Sequence, residues 1–312
     1  MGEKNKMKKF PKTHKNVFFQ SCCLFILAIL ICGNSFAKTS KSYQEVKDFI
    51  YKVAQQYPKS ARIFPLGVSD SGEVIEGLEI GSGPIHNLLV ATHHGNEYGS
   101  TEVAKAFAES VAQNPITGQT IYVIPVLNIN GYNARRRWET VNGRSIDPNR
   151  DYPGPCGTEG PFHLKSTTAL AKFIEEKNIV NSATLHTYYP AVVYPWGLSS
   201  HDLSTPYDDI FKELVTLATQ ESHYETGNSS DVIYPADGTY EDYAFWKFGI
   251  WSLLYELGYS HSPSDSDIEE MIQKNVPGLR RVFENSPVAR AEHHEFNGKC
   301  DRSLLLLDRH DE

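Results

Sequence analysis

The sequence predicts an α/β fold, with a mixed, mainly parallel central sheet and helices on both of its faces. Two observations support this prediction. Short apolar runs typical of buried strands recur at residues 75–80, 87–92, 120–127, 182–186 and 250–256. Segments with helical periodicity separate most of these runs, at residues 46–53, 101–113, 166–177, 206–219 and 266–284. Strands that alternate with helices favour a parallel sheet covered on both sides.

The helices are predicted from the spacing of their apolar residues, which place one apolar face toward a core. Ser100-Thr101-Glu102 is typical of a helix start, because it offers a hydroxyl cap and an acid in the first turn. The apolar positions are Val46, Phe49, Ile50 and Val53; Val103, Phe107 and Val111; Leu170, Phe173 and Ile174; and Ile210, Leu214 and Leu217.

The first 37 residues have the organisation of a secretory signal peptide. Six lysines precede an apolar run from Cys22 to Cys32, and Ser35-Phe36-Ala37 supplies small residues at the two positions that a signal peptidase recognises. The run is shorter than the roughly 20 residues that a membrane-spanning helix needs. Cleavage is therefore predicted after Ala37, leaving residues 38–312 as a single domain that is secreted or periplasmic and has no membrane anchor.

The predicted mature chain is acidic. The whole sequence has 30 basic and 38 acidic residues, and loss of six lysines and one glutamate leaves 24 and 37, a net charge of −13. Such a charge repels nucleic acid and anionic lipid, so neither is an expected partner. Cys156 and Cys300 are the two cysteines of the mature chain, and an oxidising compartment favours a disulfide between them.

The apolar run from Asn87 to Thr92 is followed by His94 and Glu97, an imidazole and a carboxylate three residues apart. Both groups bind zinc, and a catalytic zinc site uses three protein ligands. The pair lies between a predicted strand and a predicted helix, where α/β sheets bind ligands. The same spacing also arises by chance in surface loops, so its meaning depends on the rest of the chain.

Two further polar residues end apolar runs, His186 after Leu185 and Glu256 after Tyr255. A single histidine in such a place is often a core residue with its hydrogen bonds satisfied. A carboxylate among apolar neighbours is costly unless it is paired or functional. Glu256 is therefore a functional candidate on physical grounds alone.

Polar segments between these runs suit the binding of a carboxylate. Arg135-Arg136-Arg137 and Asn149-Arg150 offer guanidinium groups, which bind two carboxylate oxygens in one plane. Tyr234 lies in a loop with proline, aspartate and glycine and could supply a mobile phenol. Each segment alone is also explained as a solvated turn or a cap.

Taken in order, these motifs resemble the zinc metallocarboxypeptidases of the carboxypeptidase A type, in a compact bacterial-style form. The likeness extends from about residue 42 to about residue 285. It implies the fold of that family, one Zn²⁺ per chain, and hydrolysis of the C-terminal peptide bond of peptides. Carboxypeptidase A itself has a zinc site of two histidines and one glutamate.

The resemblance assigns a role to each matching residue. His94, Glu97 and His186 are the implied zinc ligands, and Glu256 is the implied general base. Asn149 and Arg150 would hold the terminal carboxylate of the substrate, and Tyr234 would close over it. The residue after Trp138 is Glu139 rather than the basic residue of some members, so Arg137 is chosen to polarise the carbonyl, with Arg136 as a neighbouring substrate-binding residue. His93 is interpreted as structural.

Glu241 lies where members with basic specificity carry an acid, which implies preference for C-terminal Lys, Arg or an amino-bearing cell-wall residue. An acid is also favoured there because Tyr240-Glu241-Asp242 is typical of a helix start.

Three alternatives stay open beside a carboxypeptidase of ordinary peptides. A murein peptide amidase, acting on cell-wall stem peptides, would use the same machinery. An amino-acid deacylase would not be expected to keep Tyr234 at this distance from Glu256. An inactive binding protein predicts damage to a ligand or to the base, and the sequence shows none. In each case a monomer is expected.

Overall fold

The computed structural model describes residues 39–157, 161–198, 204–298 and Cys300, which belong to one compact unit. The α-helices of these residues are α1 (Tyr43–Gln56), α2 (Tyr98–Gln113), α3 (Ile129–Ala134), α4 (Lys165–Glu176), α5 (Asp208–Ala218), α6 (Ser229–Val232), α7 (Tyr240–Phe248) and α8 (Asp265–Asn285). The strands are β1 (Ala61–Val68), β2 (Val74–Gly81), β3 (Ile85–Ala91), β4 (Gln119–Ile124), β5 (Glu139–Val141), β6 (Arg144–Ile146), β7 (Asn181–His186), β8 (Ala191–Tyr194), β9 (Glu225–Asn228) and β10 (Trp251–Glu256). The predicted signal peptide lies outside the described residues.

An eight-stranded sheet forms the centre of the molecule, in the order β1-β2-β4-β3-β7-β10-β8-β9. The pairs β4-β3, β3-β7, β7-β10 and β8-β9 are parallel, and the other three pairs are antiparallel. The predicted class, a mixed and mainly parallel sheet covered by helices, is confirmed. The strands β4 and β7 are buried along their whole length, as expected for strands covered on both faces.

The register of the central strands fixes where the polar ends of the apolar runs meet. Glu256 of β10 is paired with His186 of β7, and Leu185 of β7 is paired with Ala91 of β3. The carboxyl ends of these three parallel strands therefore lie at one edge of the sheet. The loop after β3, which carries His94 and Glu97, leaves the sheet at the same edge.

Several elements differ from the sequence-based expectation. The edge strands β1 and β9, the strand β8 next to β9, and the hairpin β5-β6 were not predicted. The helix α2 begins at Tyr98, three residues before the predicted start at Thr101, with Glu97 at its N-cap and no capping side chain. Ser100 instead donates its hydroxyl hydrogen to the Glu97 carbonyl, so the residue that suggests a cap packs inside the first turn.

Cys156 and Cys300 form a disulfide, as predicted. No helix within the described residues is long and apolar enough to span a bilayer.

Candidate metal centre and substrate cleft

Three buried side chains converge at the carboxyl edge of the sheet. The Nδ1 atoms of His94 and His186 are 3.3 Å apart. The Glu97 carboxylate lies against both rings, with Oε1 2.7 Å from His94 Nδ1 and Oε2 3.1 Å from His186 Nδ1. All three residues are less than 5% exposed, and their potential ligand atoms lie within 4.8 Å of one another.

This donor set fits a zinc ion. Two nitrogen ligands at about 2.0–2.1 Å from one tetrahedral ion lie about 3.3 Å apart, which is the separation of the two Nδ1 atoms. Neutral imidazole presents a lone pair at an unprotonated nitrogen, so two such atoms facing each other beside a carboxylate suit a shared cation. The three residues would hold the metal from the loop after β3, the N-cap of α2 and the end of β7.

The turn that carries His94 and Glu97 is fixed by buried polar contacts. Thr92 has a φ of 63°, and its hydroxyl contacts Thr101 Oγ1 at 2.6 Å and the Pro125 carbonyl at 3.1 Å. These bonds compensate for the left-handed backbone, which is unusual for a β-branched residue. Asn128 donates from Nδ2 to the carbonyls of His93 and Arg137, so the ligand turn is tied to the arginine segment.

Asp147 links the metal centre to an arginine, and the sequence analysis did not single it out. Its Oδ1 is 3.0 Å from His94 Nε2, and its Oδ2 accepts from Arg137 Nε at 3.0 Å. Burial alone would raise the pKa of Asp147, but His94 and Arg137 outweigh that effect and hold the pKa well below its ordinary value. A carboxylate behind the other ring nitrogen orients a metal-binding imidazole.

Arg150 and Tyr234 lie together in the wall of a cleft of about 470 Å³ that also contains the metal triad. Arg150 donates from one terminal nitrogen to the Tyr234 hydroxyl at 3.1 Å. Asn149 is buried beside them and accepts the backbone N–H of Tyr240 at 2.9 Å. Tyr234 is 44% exposed, so its ring lies at the cleft mouth.

Glu256 lies in the same cleft, next to the triad. Its buried Oε2 has no hydrogen-bond partner among the described residues. Burial, reinforced by the Glu97 carboxylate, raises the pKa of Glu256 well above its ordinary value. A cation held by the triad would oppose this shift, because opposite charge favours the ionised carboxylate.

Glu241 is also in the cleft wall, only 2% exposed, at the start of α7. Its Oε2 has no hydrogen-bond partner within the described part of the chain, and the same is true of the nearby Thr239 hydroxyl. An unpaired buried carboxylate costs free energy unless a ligand completes it. The acid is therefore directed into the cleft and not toward solvent.

Two predicted neighbours lie elsewhere. Arg136 is exposed and is absent from the described residues that line the cleft, which does not fit its predicted role in substrate binding. Arg137 is instead the arginine that Asp147 holds at the cleft wall, by a hydrogen bond of 3.0 Å and an ion pair of 2.8 Å. His93 is fully buried, 3.0 Å from the Tyr152 hydroxyl and outside the triad, in agreement with its structural interpretation.

The cleft contains further residues to which the sequence analysis gave no role, namely Tyr188, Tyr189 and His261. Tyr188 and Tyr189 are the second and third residues after His186 of the candidate triad. His261 could have been noticed because it is only five residues after Glu256. Its position in a loop, however, does not show whether its side chain faces the cleft.

Comparison with known proteins identifies the class. A sequence model of the zinc carboxypeptidase family matches residues 46–278. Carboxypeptidase B from Astacus astacus is 25% identical over 254 residues, covering 67% of this chain and 82% of that protein. Human carboxypeptidase O is 28% identical over 314 residues, covering 84% of this chain and 83% of that protein.

The fold has solved counterparts. Bovine thrombin-activatable fibrinolysis inhibitor, solved in complex with a tick carboxypeptidase inhibitor, superposes with a TM-score of 0.72 at 18% identity, covering 79% of this chain and 97% of that one. The chain thus belongs to the zinc carboxypeptidase family and is a metallocarboxypeptidase, a hydrolase. The resemblance predicted from the sequence is confirmed, and these matches do not favour the amidase or binding-protein alternatives.

Proposed function

We propose that the protein is an exported, monomeric zinc carboxypeptidase that removes basic residues from the C-terminus of peptides. The main observation that supports this proposal is that the residues it requires line one cleft. The cleft combines a candidate metal triad, Glu256 with an Oε2 that has no partner among the described residues, Arg150 with Tyr234, and the buried acid Glu241. A carboxylate clamp beside the reaction centre favours cleavage at a chain end over cleavage within a chain.

Each residue has a defined task in this proposal. Zinc, when bound by His94, Glu97 and His186, acts as a Lewis acid and makes water more acidic. Glu256 accepts a proton from the attacking water and passes it to the leaving amine as the C–N bond breaks. Arg137 faces the carbonyl oxygen of the scissile bond and stabilises the charge that develops there.

The terminal residue of the substrate occupies the remaining part of the cleft. Asn149 and Arg150 bind its carboxylate, and the Tyr234 hydroxyl, which now contacts Arg150, covers the bound residue. Glu241 would pair with an entering ammonium or guanidinium group. An apolar terminal side chain would leave this carboxylate buried and unpaired, which disfavours it.

Export of the chain is supported by the predicted leader, and an oxidising compartment is consistent with the disulfide between Cys156 and Cys300. Residues 38–312 are proposed to form the mature protein, with a single catalytic domain.

A panel of peptides that differ only in the last residue tests the proposal. Zinc-loaded protein should release Lys and Arg with a higher kcat/KM than Leu or Phe, and should not act on the same peptides with an amidated C-terminus. A chelator should abolish the release and added zinc should restore it. Glu241→Gln should reduce the advantage of Lys over Leu by about tenfold or more, since a buried charge pair is lost. Higher activity on Leu or Phe would refute the basic preference, and equal activity on amidated peptides would refute the carboxypeptidase assignment.

A further inference from the structure

His261 lies in the cleft wall on the loop between β10 and α8, and the proposed function gives it no task. The ring is partly exposed and lines the cleft together with Tyr188. Its Nδ1 is 3.4 Å from the Thr187 hydroxyl, and the Tyr188 ring packs edge-to-face against it with centroids 4.8 Å apart. Because Nδ1 faces Thr187, Nε2 is the nitrogen left for a ligand.

The loop that carries His261 is fixed at both ends. At its start, Gly258 donates its backbone N–H to the Tyr224 hydroxyl at 3.1 Å. At its end, Ser264 and Asp267 form a capping box that begins α8. The imidazole is therefore held in place by the fold, which a specificity group requires.

The charges around the ring show which side of the cleft it occupies. The ring contacts Thr187 and Tyr188, which directly follow His186 of the metal triad. The charged groups that act most on His261 are Glu97, Arg137 and His94, and Glu241 and Arg150 of the proposed terminal pocket are not among them. These contacts place His261 beside the metal triad, where the part of the substrate that precedes the scissile bond would lie.

The cleft wall contains groups of both kinds. It includes the buried acid Glu241, which is proposed to bind the terminal residue, and the hydrogen-bond donors Arg137 and His261. A donor directed at a carboxylate makes a shorter bond, about twice as strong as one to a neutral acceptor. A partly desolvated wall strengthens that difference.

We propose that His261 determines specificity for the residue on the amino side of the scissile bond and favours an acidic side chain there. The proposal rests on the proposed carboxypeptidase function and makes its substrate class narrower: peptides that end in an acidic residue followed by a basic one. The Tyr188 ring packs against the aliphatic part of the acidic side chain, and His261 Nε2–H donates to its carboxylate.

The test compares two blocked tripeptides, Ala-Glu-Lys and Ala-Gln-Lys, which are isosteric and differ in charge at the middle residue. The zinc-loaded wild-type protein should show a kcat/KM about fivefold higher for the Glu peptide, the ratio expected when a charged acceptor replaces a neutral one. The ratio within one enzyme cancels differences in metal content and in the amount of active protein.

Two variants assign the effect to the ring. His261→Phe keeps the packing on Tyr188 and removes both nitrogens. His261→Asn keeps a hydrogen-bonding group near Nδ1 only. Both should bring the ratio to about 1 while lysine release continues. Tyr259→Ala is the matched control, because Tyr259 is on the same loop, is 79% exposed and does not line the cleft among the described residues. It should keep the wild-type ratio.

The outcomes separate the two levels of the proposal. Lysine release with a Glu/Gln ratio near or below 1 in the wild type, or an unchanged ratio in both His261 variants, would overturn the role of His261 alone. Absence of lysine release from either peptide would overturn the proposed function, and this proposal with it.

Discussion

Asp147 connects His94 of the candidate metal centre to Arg137 of the cleft wall, so a change at Asp147 affects both residues. It contacts His94 Nε2 and Arg137, and it also accepts the backbone N–H of Asn149 at 2.8 Å. Asp147→Asn keeps a capping oxygen for Asn149 but loses the charge that orients both partners.

We expect Asp147→Asn to weaken zinc binding by about 10–100-fold, the usual effect of removing the partner of a ligand histidine. Competition with a chromophoric chelator measures the zinc Kd directly, without reference to activity. An unchanged Kd would show that Asp147 orients only Arg137. Circular dichroism of the variant provides the control for folding.

Glu256→Gln separates metal binding from proton transfer. The amide keeps the shape of the side chain but cannot accept the proton of the attacking water, so kcat should fall by at least about 10²-fold with zinc retained. Glu97→Ala, in contrast, should lose the metal. Metal analysis and peptide turnover of both variants check this, and near-normal turnover by Glu256→Gln would transfer the role of base to another group.

The resemblance named the three residues of the candidate metal triad, and the structure brings them together because parallel strands place their carboxyl ends at one edge of the sheet. The sequence was insufficient for Asp147, which is 53 residues from His94 and reaches it only through the folded hairpin β5-β6. The choice of Arg137 over Arg136 came from the resemblance, because local sequence does not show that Asp147 holds Arg137 at the cleft wall.

At the level of elements, the long periodic helices and the central strands were predictable, and short or edge elements were not. The strands β3, β7 and β10 are buried at most or all of their positions, whereas β9 has exposed and intermediate positions only. The strand β9 forms because it pairs with β8 in the folded protein, and its own sequence has no pattern that predicts this pairing. The hairpin β5-β6 has three residues in each strand, too few for an alternating pattern.

The hairpin β5-β6 carries a buried carboxyl group, that of Glu139, whose pKa is raised. Glu139 is fully buried, and the Ser166 hydroxyl donates to its Oε2 at 2.7 Å. Burial is the main cause that raises its pKa from 4.5 to about 7, and the Asp70 and Asp151 carboxylates add to the shift. Between these two pKa values, the Glu139 carboxyl group is therefore protonated in the folded state and ionised in the unfolded state.

This linkage predicts how stability changes with pH. Between the unfolded pKa of 4.5 and the folded pKa of about 7, the unfolded chain binds fewer protons, so the contribution of Glu139 to stability falls as pH rises and then stays constant. Glu139→Gln removes this dependence, and should be more stable than the wild type above the upper pKa by on the order of 3 kcal/mol at most.

Urea unfolding of both proteins below and above this window measures the difference in the free energy of unfolding. Glu292→Gln, in an exposed segment, is the control and should follow the wild type at every pH. A difference between Glu139→Gln and the wild type that is constant across the window would contradict the raised pKa.

At the scale of the whole molecule, a covalent bond joins the middle of the chain to its C-terminal part. The disulfide connects Cys156, six residues after Arg150, to Cys300, with 144 residues of sequence separation. It therefore restrains both the segment that follows the proposed carboxylate clamp and the segment that follows α8. Closing a loop of this size reduces the conformational freedom of the unfolded chain substantially.

The double variant Cys156→Ser, Cys300→Ser should lose about 2–4 kcal/mol of unfolding free energy, the typical contribution of a native disulfide. Urea unfolding without reductant measures this, with both proteins saturated with zinc, because a bound metal adds its own stabilisation. The released segment lies beside Arg150, so KM for a basic peptide should rise more than kcat falls. Thiol titration of the denatured wild type should find no free thiol. Two free thiols, or equal stability of the double variant, would show that the covalent link is absent in solution and that packing alone holds the segment after Arg150.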